Sequence, residues 1–388
     1  YWGQNSYGAA NAADTANFQK SLAFYCQDNS IDVFPIAFLT SFFSTGNLPS
    51  INLANTCNSV NGNTTFPGTN LLDCSGLASD IKTCQAKGKI ITLSLGGATG
   101  SVGFTGDDQA TDFAETIWNL FLGGSSSTRP FGDAVLDGVD LDIEGGSSTG
   151  YAAFVTKIRS LASGASKPYY VSAAPQARLN FITCCPYPDA SLGSVLNAAD
   201  FDMVYVQFYN NVCGLQNFNL AQDWDFGIWD NWARTISPNK NVKIFVGAPA
   251  SSSAAGTGYQ AIGTLSNIAV QMRKSFPSFG GVMLWDASQA YANSRYDAAI
   301  KSALTAAGGT GFTFPACSAP AFVSGTNYQG GSQVSFNGGH LWTAKWWTEN
   351  DTPGGTLRRY PLSRIATLLT APMQVLPVFG LTMVHAVA

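Results

Sequence analysis

Short apolar runs rich in Val, Ile and Phe punctuate the chain: "IDVFPIAFL" at 31–39, "KIITLSL" at 89–95, "GVDLDIE" at 138–144, "YYVSAA" at 169–174, "FDMVYVQF" at 201–208, "VKIFVGA" at 242–248 and "GGVMLW" at 280–285. The opening "YWG" at 1–3 makes an eighth. Between the runs lie helix-like stretches such as "DFAETIWNLFLGG" at 112–124 and "GYAAFVTKIRSLAS" at 150–163, which end in Gly or Ser as helices do. Eight strands alternating with helices predict an α/β fold, a (β/α)8 TIM barrel, over residues 1–307.

Beyond Ala307 the alternation stops. Residues 308–320, "GGTGFTFPACSAP", read as a Gly/Pro linker. Residues 321–355 hold a small aromatic-rich β module, too short for a core of ordinary size. Residues 356–388 form an apolar tail with no charged residue beyond Arg364 other than His385. That tail fits neither module. It reads either as an anchor signal with small residues near Gly354 and Gly355 or, the preferred reading, as coding out of register after Gly355. Pro372 and Pro377 argue against a membrane-spanning helix there.

The run at 137–144, "DGVDLDIE", is the chemical centre. Side chains on a strand alternate between faces, so Asp140, Asp142 and Glu144 point one way while Val139, Leu141 and Ile143 point the other. In a barrel the apolar set packs on the helices and the acids face inward, where an ionised carboxylate is costly. Three acids in a line cannot all stay charged, so at least one is held protonated, as a general acid requires. Glu144, last in the run, is placed at the C-terminal mouth, where barrels of this kind carry their chemistry. Asp137 is off the alternation and is expected to be structural. A solvated edge strand fits the strict apolar alternation poorly, and a Ca or Mg site normally draws its ligands from a loop.

Asp, Glu, Lys and Arg make up only 11% of the residues and the net charge is −4. With no basic run there is no electrostatic footprint for nucleic acid, and an uncharged polymer fits better. The eight cysteines, Cys26, Cys57, Cys74, Cys84, Cys184, Cys185, Cys213 and Cys317, include no CxxC pair, and only two histidines accompany them. No metal site and no cofactor are expected; dispersed cysteines in a charge-poor chain favour disulfides in an oxidising compartment. The sequon Asn63-Thr64-Thr65 agrees with that. The start on an apolar strand reads as a mature form whose export signal has been removed, which implies an extracellular or cell-wall location.

The acid run matches the DxxDxDxE signature of glycoside hydrolase family 18, the chitinases. The resemblance covers roughly 1–307 and is closest to the plant-type and fungal class III branch, through "YWGQNS" (1–6), "IAFL" (36–39), "SLGG" (94–97), "AAPQ" (173–176), "CPYPDASLG" (185–193), "VQFYNN" (206–211) and "GGVMLW" (280–285). It implies a retaining, substrate-assisted cleavage of chitin or chitooligosaccharides. Glu144 would be the acid, Asp142 the partner of the substrate acetamido group, Asp140 the proton-sharing neighbour and Tyr209 the donor to the acetamido oxygen. Trp285 would floor the sugar subsite, with Gln207, Asn210, Tyr1, Gln4, Gly96 and Gly97 lining the cleft. The resemblance also implies cis peptides at Ala37–Phe38 and Trp285–Asp286, and disulfides Cys26–Cys84, Cys57–Cys74 and Cys185–Cys213, with Cys184 the alternative partner in the last. Where the family runs from "APQC" straight into "PYPD", this chain reads "APQARLNFITCCPYPD", with extra residues at 177–184 that reshape one side of the cleft.

The "AKWWT" of the second module resembles small chitin-binding modules of carbohydrate-binding families 5 and 12. Tyr328, Trp342, Trp346 and Trp347 are its candidate aromatics, at least one for stacking on a sugar and the others for packing. A monomer is expected, with membrane association only if the tail is an anchor signal. Two other functions compete: an endoglycosidase acting on protein-linked glycans, and a non-catalytic chitin-binding or inhibitor protein on the same barrel. Loss of the terminal Glu usually marks the second of these, and Glu144 is present.

Overall fold

The computed structural model describes residues 1–177, 189, 191–220, 223–308, 319–336, 340–344, 347–349, 351–353 and 381–383. Seven strands run parallel in one sheet: β1 (Val33–Ser41), β3 (Ile90–Gly96), β4 (Gly138–Asp142), β5 (Tyr170–Ala173), β6 (Met203–Gln207), β7 (Lys243–Pro249) and β8 (Phe279–Trp285). An eighth, β2 (Ser50–Ile51), is a two-residue antiparallel addition to β1. The expected opening strand is a single parallel bridge, Trp2 to Ile36. Its position is nonetheless that of the eighth stave, because the Tyr1 nitrogen donates to the Leu284 carbonyl of β8 (3.0 Å) while Trp2 exchanges hydrogen bonds with Pro35 and Ala37 of β1. Below this narrow closure a cavity of about 250 Å³ lies between β1 and β8, lined among others by Val33, Phe34, Phe245 and Gly281.

The helices form where apolar residues recur at helical spacing. Asp107–Phe121 buries Ala110, Phe113, Ala114, Ile117 and Leu120, opens on Asp107 and Asp108, whose charge suits a helix N-terminus, and gives way to Gly123-Gly124. Tyr151–Ala162 buries Tyr151, Phe154, Val155 and Ile158. Two cores result. One lies between sheet and helices and takes in Val139, Leu141 and Ile143. The other, inside the barrel, joins Tyr1, Phe38, Met203, Tyr205, Tyr209 and Met283, with Trp285 packed against it. Disulfides join Cys26 to Cys84 and Cys57 to Cys74. Cys213 is also disulfide-bonded; Cys184 and Cys185, like Cys317 and all of the extra segment at 177–184 except Ala177, lie outside the described residues.

In the C-terminal module β10 (Gln333–Phe336) pairs antiparallel with β11 (His340–Ala344), and β9 (Asn327–Tyr328) with β12 (Thr348–Glu349). Leu381–Met383 forms β13 and pairs antiparallel with β11. Among the described residues no helix is long and apolar enough to cross a membrane.

Candidate active site

Register builds the floor of the site. Ser94 on β3 and Ser172 on β5 stand directly across from Asp140 on β4, so all three side chains share the inward face. Both hydroxyls donate to the Asp140 carboxyl, Ser94 to Oδ2 at 2.6 Å and Ser172 to Oδ1 at 2.7 Å. The Tyr1 hydroxyl adds a third bond to Oδ2 at 2.8 Å. Asp140 is fully buried, and burial raises its proton affinity against the pull of these three donors. Tyr1 is thus a partner of the acid line, and burial followed by the charge of Asp140 and Asp142 pushes its phenol well up.

Asp142 stands one step further along the same face. Only 4% of it is exposed, and its carboxyl is held well above the usual range by burial, then by the charges of Glu144 and Asp140. Gln207 at the end of β6 donates to its Oδ1 at 3.0 Å and to the Ala174 carbonyl at 2.9 Å. Glu144 follows β4, half-buried ahead of Gly145-Gly146. Tyr209 is buried beside these acids; desolvation and the charges of Asp142 and Glu144 raise its phenol well above the ordinary value. Asp137 lies at the opposite end of β4, where Lys167 (2.8 Å), Gln85 and the Ile91 N–H hold its carboxyl.

Trp285 forms an aromatic face with Phe38 and Tyr1. Its ring stacks on Phe38 at 5.8 Å and 18°, and Tyr1 leans on it at 5.7 Å. The Ala37–Phe38 and Trp285–Asp286 peptides at the base of this group are cis. Gly96 and Gly97 are needed where β3 passes this group. Both have positive φ, and a Cβ would stand 2.3 Å from the Asp142 carbonyl oxygen at Gly96 and 2.7 Å from the Phe38 ring at Gly97.

Two expected cleft residues have their amides engaged elsewhere. Gln4 donates to the Ala37 and Asn52 carbonyls, both at 2.9 Å, and Asn210 accepts the Gly256 and Thr257 N–H groups at 2.9 and 3.1 Å, so both brace backbone. In the second module Trp342 is fully buried and belongs to the packing set, not to a sugar platform. Tyr328 stacks on Phe322 at 5.6 Å, Trp347 is half-buried, and Trp346 lies outside the described residues. Sequence reasoning missed Ser94, Ser172, Gln176 and Asp189. For the serines a signal existed: a hydroxyl at an inward position of an apolar strand, one register step from an acid. Among the described residues no cluster of three or more His, Cys, Asp or Glu is arranged to hold a metal ion.

A line of acids over an aromatic face, at the C-terminal mouth of a parallel barrel, marks a carbohydrate-directed barrel protein. The chain belongs to glycosyl hydrolases family 18, whose family model matches residues 1–275. Residues 321–358 match carbohydrate-binding module family 5/12. "Chitinase 1" of Rhizopus niveus is 50% identical over 302 residues, 78% of this chain and 56% of that protein. The chain likewise spans about half the length of further fungal chitinases it matches, 52% in Rhizopus oligosporus and 51% in Saccharomyces cerevisiae. Among solved structures, the ICChI chitinase of Ipomoea carnea superposes with a TM-score of 0.62 at 32% identity, covering 78% of this chain and 98% of its own. The xylanase and alpha-amylase inhibitor protein XAIP-II of Scadoxus multiflorus does so with 0.61 at 29%, covering 79% and 97%.

Proposed function

We propose that this protein is a secreted, monomeric, endo-acting chitinase that cleaves β-1,4-linked N-acetylglucosamine polymers with retention of configuration. The observation that carries the reading is the acid line of β4: a buried Asp140 saturated by hydroxyl donors, an Asp142 of raised proton affinity, and a more accessible Glu144 at the mouth. A protonated Glu144 gives its proton to the glycosidic oxygen as that bond breaks. The acetamido carbonyl oxygen of the sugar forms the new bond to its own anomeric carbon, giving an oxazolinium ion. Asp142 accepts a hydrogen bond from the acetamido N–H and stabilises the positive charge, Tyr209 donates to the acetamido oxygen, and Trp285 supports the ring. Water, deprotonated by Glu144, then opens the ion and restores the acid. Two disulfides support an oxidising location, and the 5/12 module supports attachment to insoluble chitin.

The likeness to XAIP-II supports a rival reading, a non-catalytic inhibitor on the same barrel. The intact Asp140, Asp142 and Glu144 series argues for catalysis. Product analysis on chitin oligosaccharides decides: NMR of the first products should show the β anomer with wild type and no products with Glu144→Gln. Cleavage undiminished in Glu144→Gln sinks the mechanism, and a wild type that binds chitin without cleaving it favours the rival.

A further inference from the structure

Gln176, three residues past the end of β5, forms an isolated parallel bridge with Gln207, the last residue of β6, which sets their side-chain amides next to each other. The Gln207 amide is committed on both sides. Its nitrogen donates to Asp142 Oδ1 (3.0 Å) and to the Ala174 carbonyl (2.9 Å), and its oxygen accepts from Gln176 Nε2 at 2.9 Å. Gln207 is 3% exposed, so water does not readily replace the Gln176 donor. Gln176 is itself placed from outside the strand. Its backbone N–H donates to Asp189 Oδ2 at 2.8 Å, and Asp189 Oδ1 takes the Ser191 and Leu192 N–H groups, both at 2.7 Å.

We propose that Gln176 is a positioning residue that sets the proton affinity of Asp142 through Gln207. The proposal rests on the catalytic reading of β4. The two bonds run in one direction, Gln176 to Gln207 to Asp142, and a chain of donors pointed at a carboxylate polarises toward it. A stronger donor at Oδ1 favours the charged carboxylate. It works against burial and against the like-charged groups that face Asp142, which are Asp140 on β4, Glu144 just after it and Asp189 after β5, and in the same sense as the Tyr1 ammonium, with the phenols of Tyr209 and Tyr1 nearby. Gln176 never reaches Asp142 itself; it keeps the Gln207 carbonyl satisfied and its N–H groups aimed.

The test follows the Asp142 carboxyl carbon by NMR through a pH titration in wild type, Gln176→Leu and Gln176→Glu, alongside the pH dependence of kcat/KM on a chitin oligosaccharide. Leucine leaves the Gln207 oxygen buried without its donor, and the Asp142 midpoint should rise by roughly half a pH unit. Glutamate sets an acceptor against an acceptor and should raise it by about one unit, with both limbs of the rate profile moving the same way. A merely structural Gln176 predicts lower thermal stability with the midpoint unmoved, and that result overturns the proposal; if the Glu variant does not fold, the Leu variant decides. The carboxyl titration needs no turnover. A wild type that cleaves nothing therefore counts against the chitinase reading alone, while unmoved midpoints in an active enzyme count against Gln176 alone.

Discussion

Asp142→Asn should stabilise the fold while disabling the site, and the stabilisation should grow with pH. Asparagine keeps the oxygen that accepts from Gln207 and removes the charge that Asp140 and Glu144 oppose. Alternate residues of one strand stand about 6.6 Å apart, and two unit charges at that spacing under an effective dielectric of about 20 repel by roughly 2.5 kcal/mol. Glu144 is half-buried and better screened than Asp140, and the cluster relieves itself by holding a proton. A gain of about 2 kcal/mol at pH ~8 is therefore expected, roughly 3 °C in Tm for a barrel of this size at about 2.1 cal/mol/K of unfolding entropy per residue. The sign follows from linkage. The folded carboxyl binds its proton more tightly than the unfolded one, so wild type loses stability as pH rises from the unfolded value, about 3.9, through the raised folded value. Below that window Asp142 is a neutral acid and the variant gains nothing. Thermal melts of both proteins from pH ~3 to ~8 measure the difference, while kcat should fall about 100-fold or more. A Tm difference that stays constant across that range, or one that shrinks as pH rises, refutes the reasoning.

Gly97→Ala places a methyl 2.7 Å from the Phe38 ring at positive φ, so Tm should drop by an amount matching about 1 to 3 kcal/mol. KM should rise with it, because Phe38 carries the Trp285 stack; wild-type KM in a destabilised variant would break that link. Replacing each disulfide by a serine pair should cost about 4 kcal/mol for Cys26–Cys84 and about 3 kcal/mol for Cys57–Cys74, read by urea unfolding, because the first spans 58 residues and the second 17. Equal costs would point away from loop closure as the cause.

The strands and the acid line were legible because both obey the period of two: Val139, Leu141 and Ile143 pack outward while Asp140 and Asp142 face in. Other features depend on neighbours that a local pattern does not reveal. "YWG" has the composition of a strand, yet only Trp2 bridges β1, because Tyr1 turns its ring to Trp285 and its hydroxyl to Asp140. Gln4 and Asn210 carry the amides a sugar site uses, but loop and bulge carbonyls and N–H groups claim them first. Trp342 alternates correctly for either face of a small sheet, and packing decided for the interior. Asp189 sits in a motif that marked the family without announcing chemistry, and its role as anchor of Gln176 emerges only from the distances.

Asp140 receives its three hydroxyls from three separate places in the ring: β3, β5 and the Tyr1 closure between β1 and β8. The acid at the centre of the site therefore works as a strain gauge for the circle around it. A slip of any one of those staves withdraws a donor from a carboxyl with no access to solvent, and the proton balance of the whole acid line shifts before the helices or the outer core have moved. Heat or denaturant should extinguish turnover while the circular dichroism of the barrel is still intact.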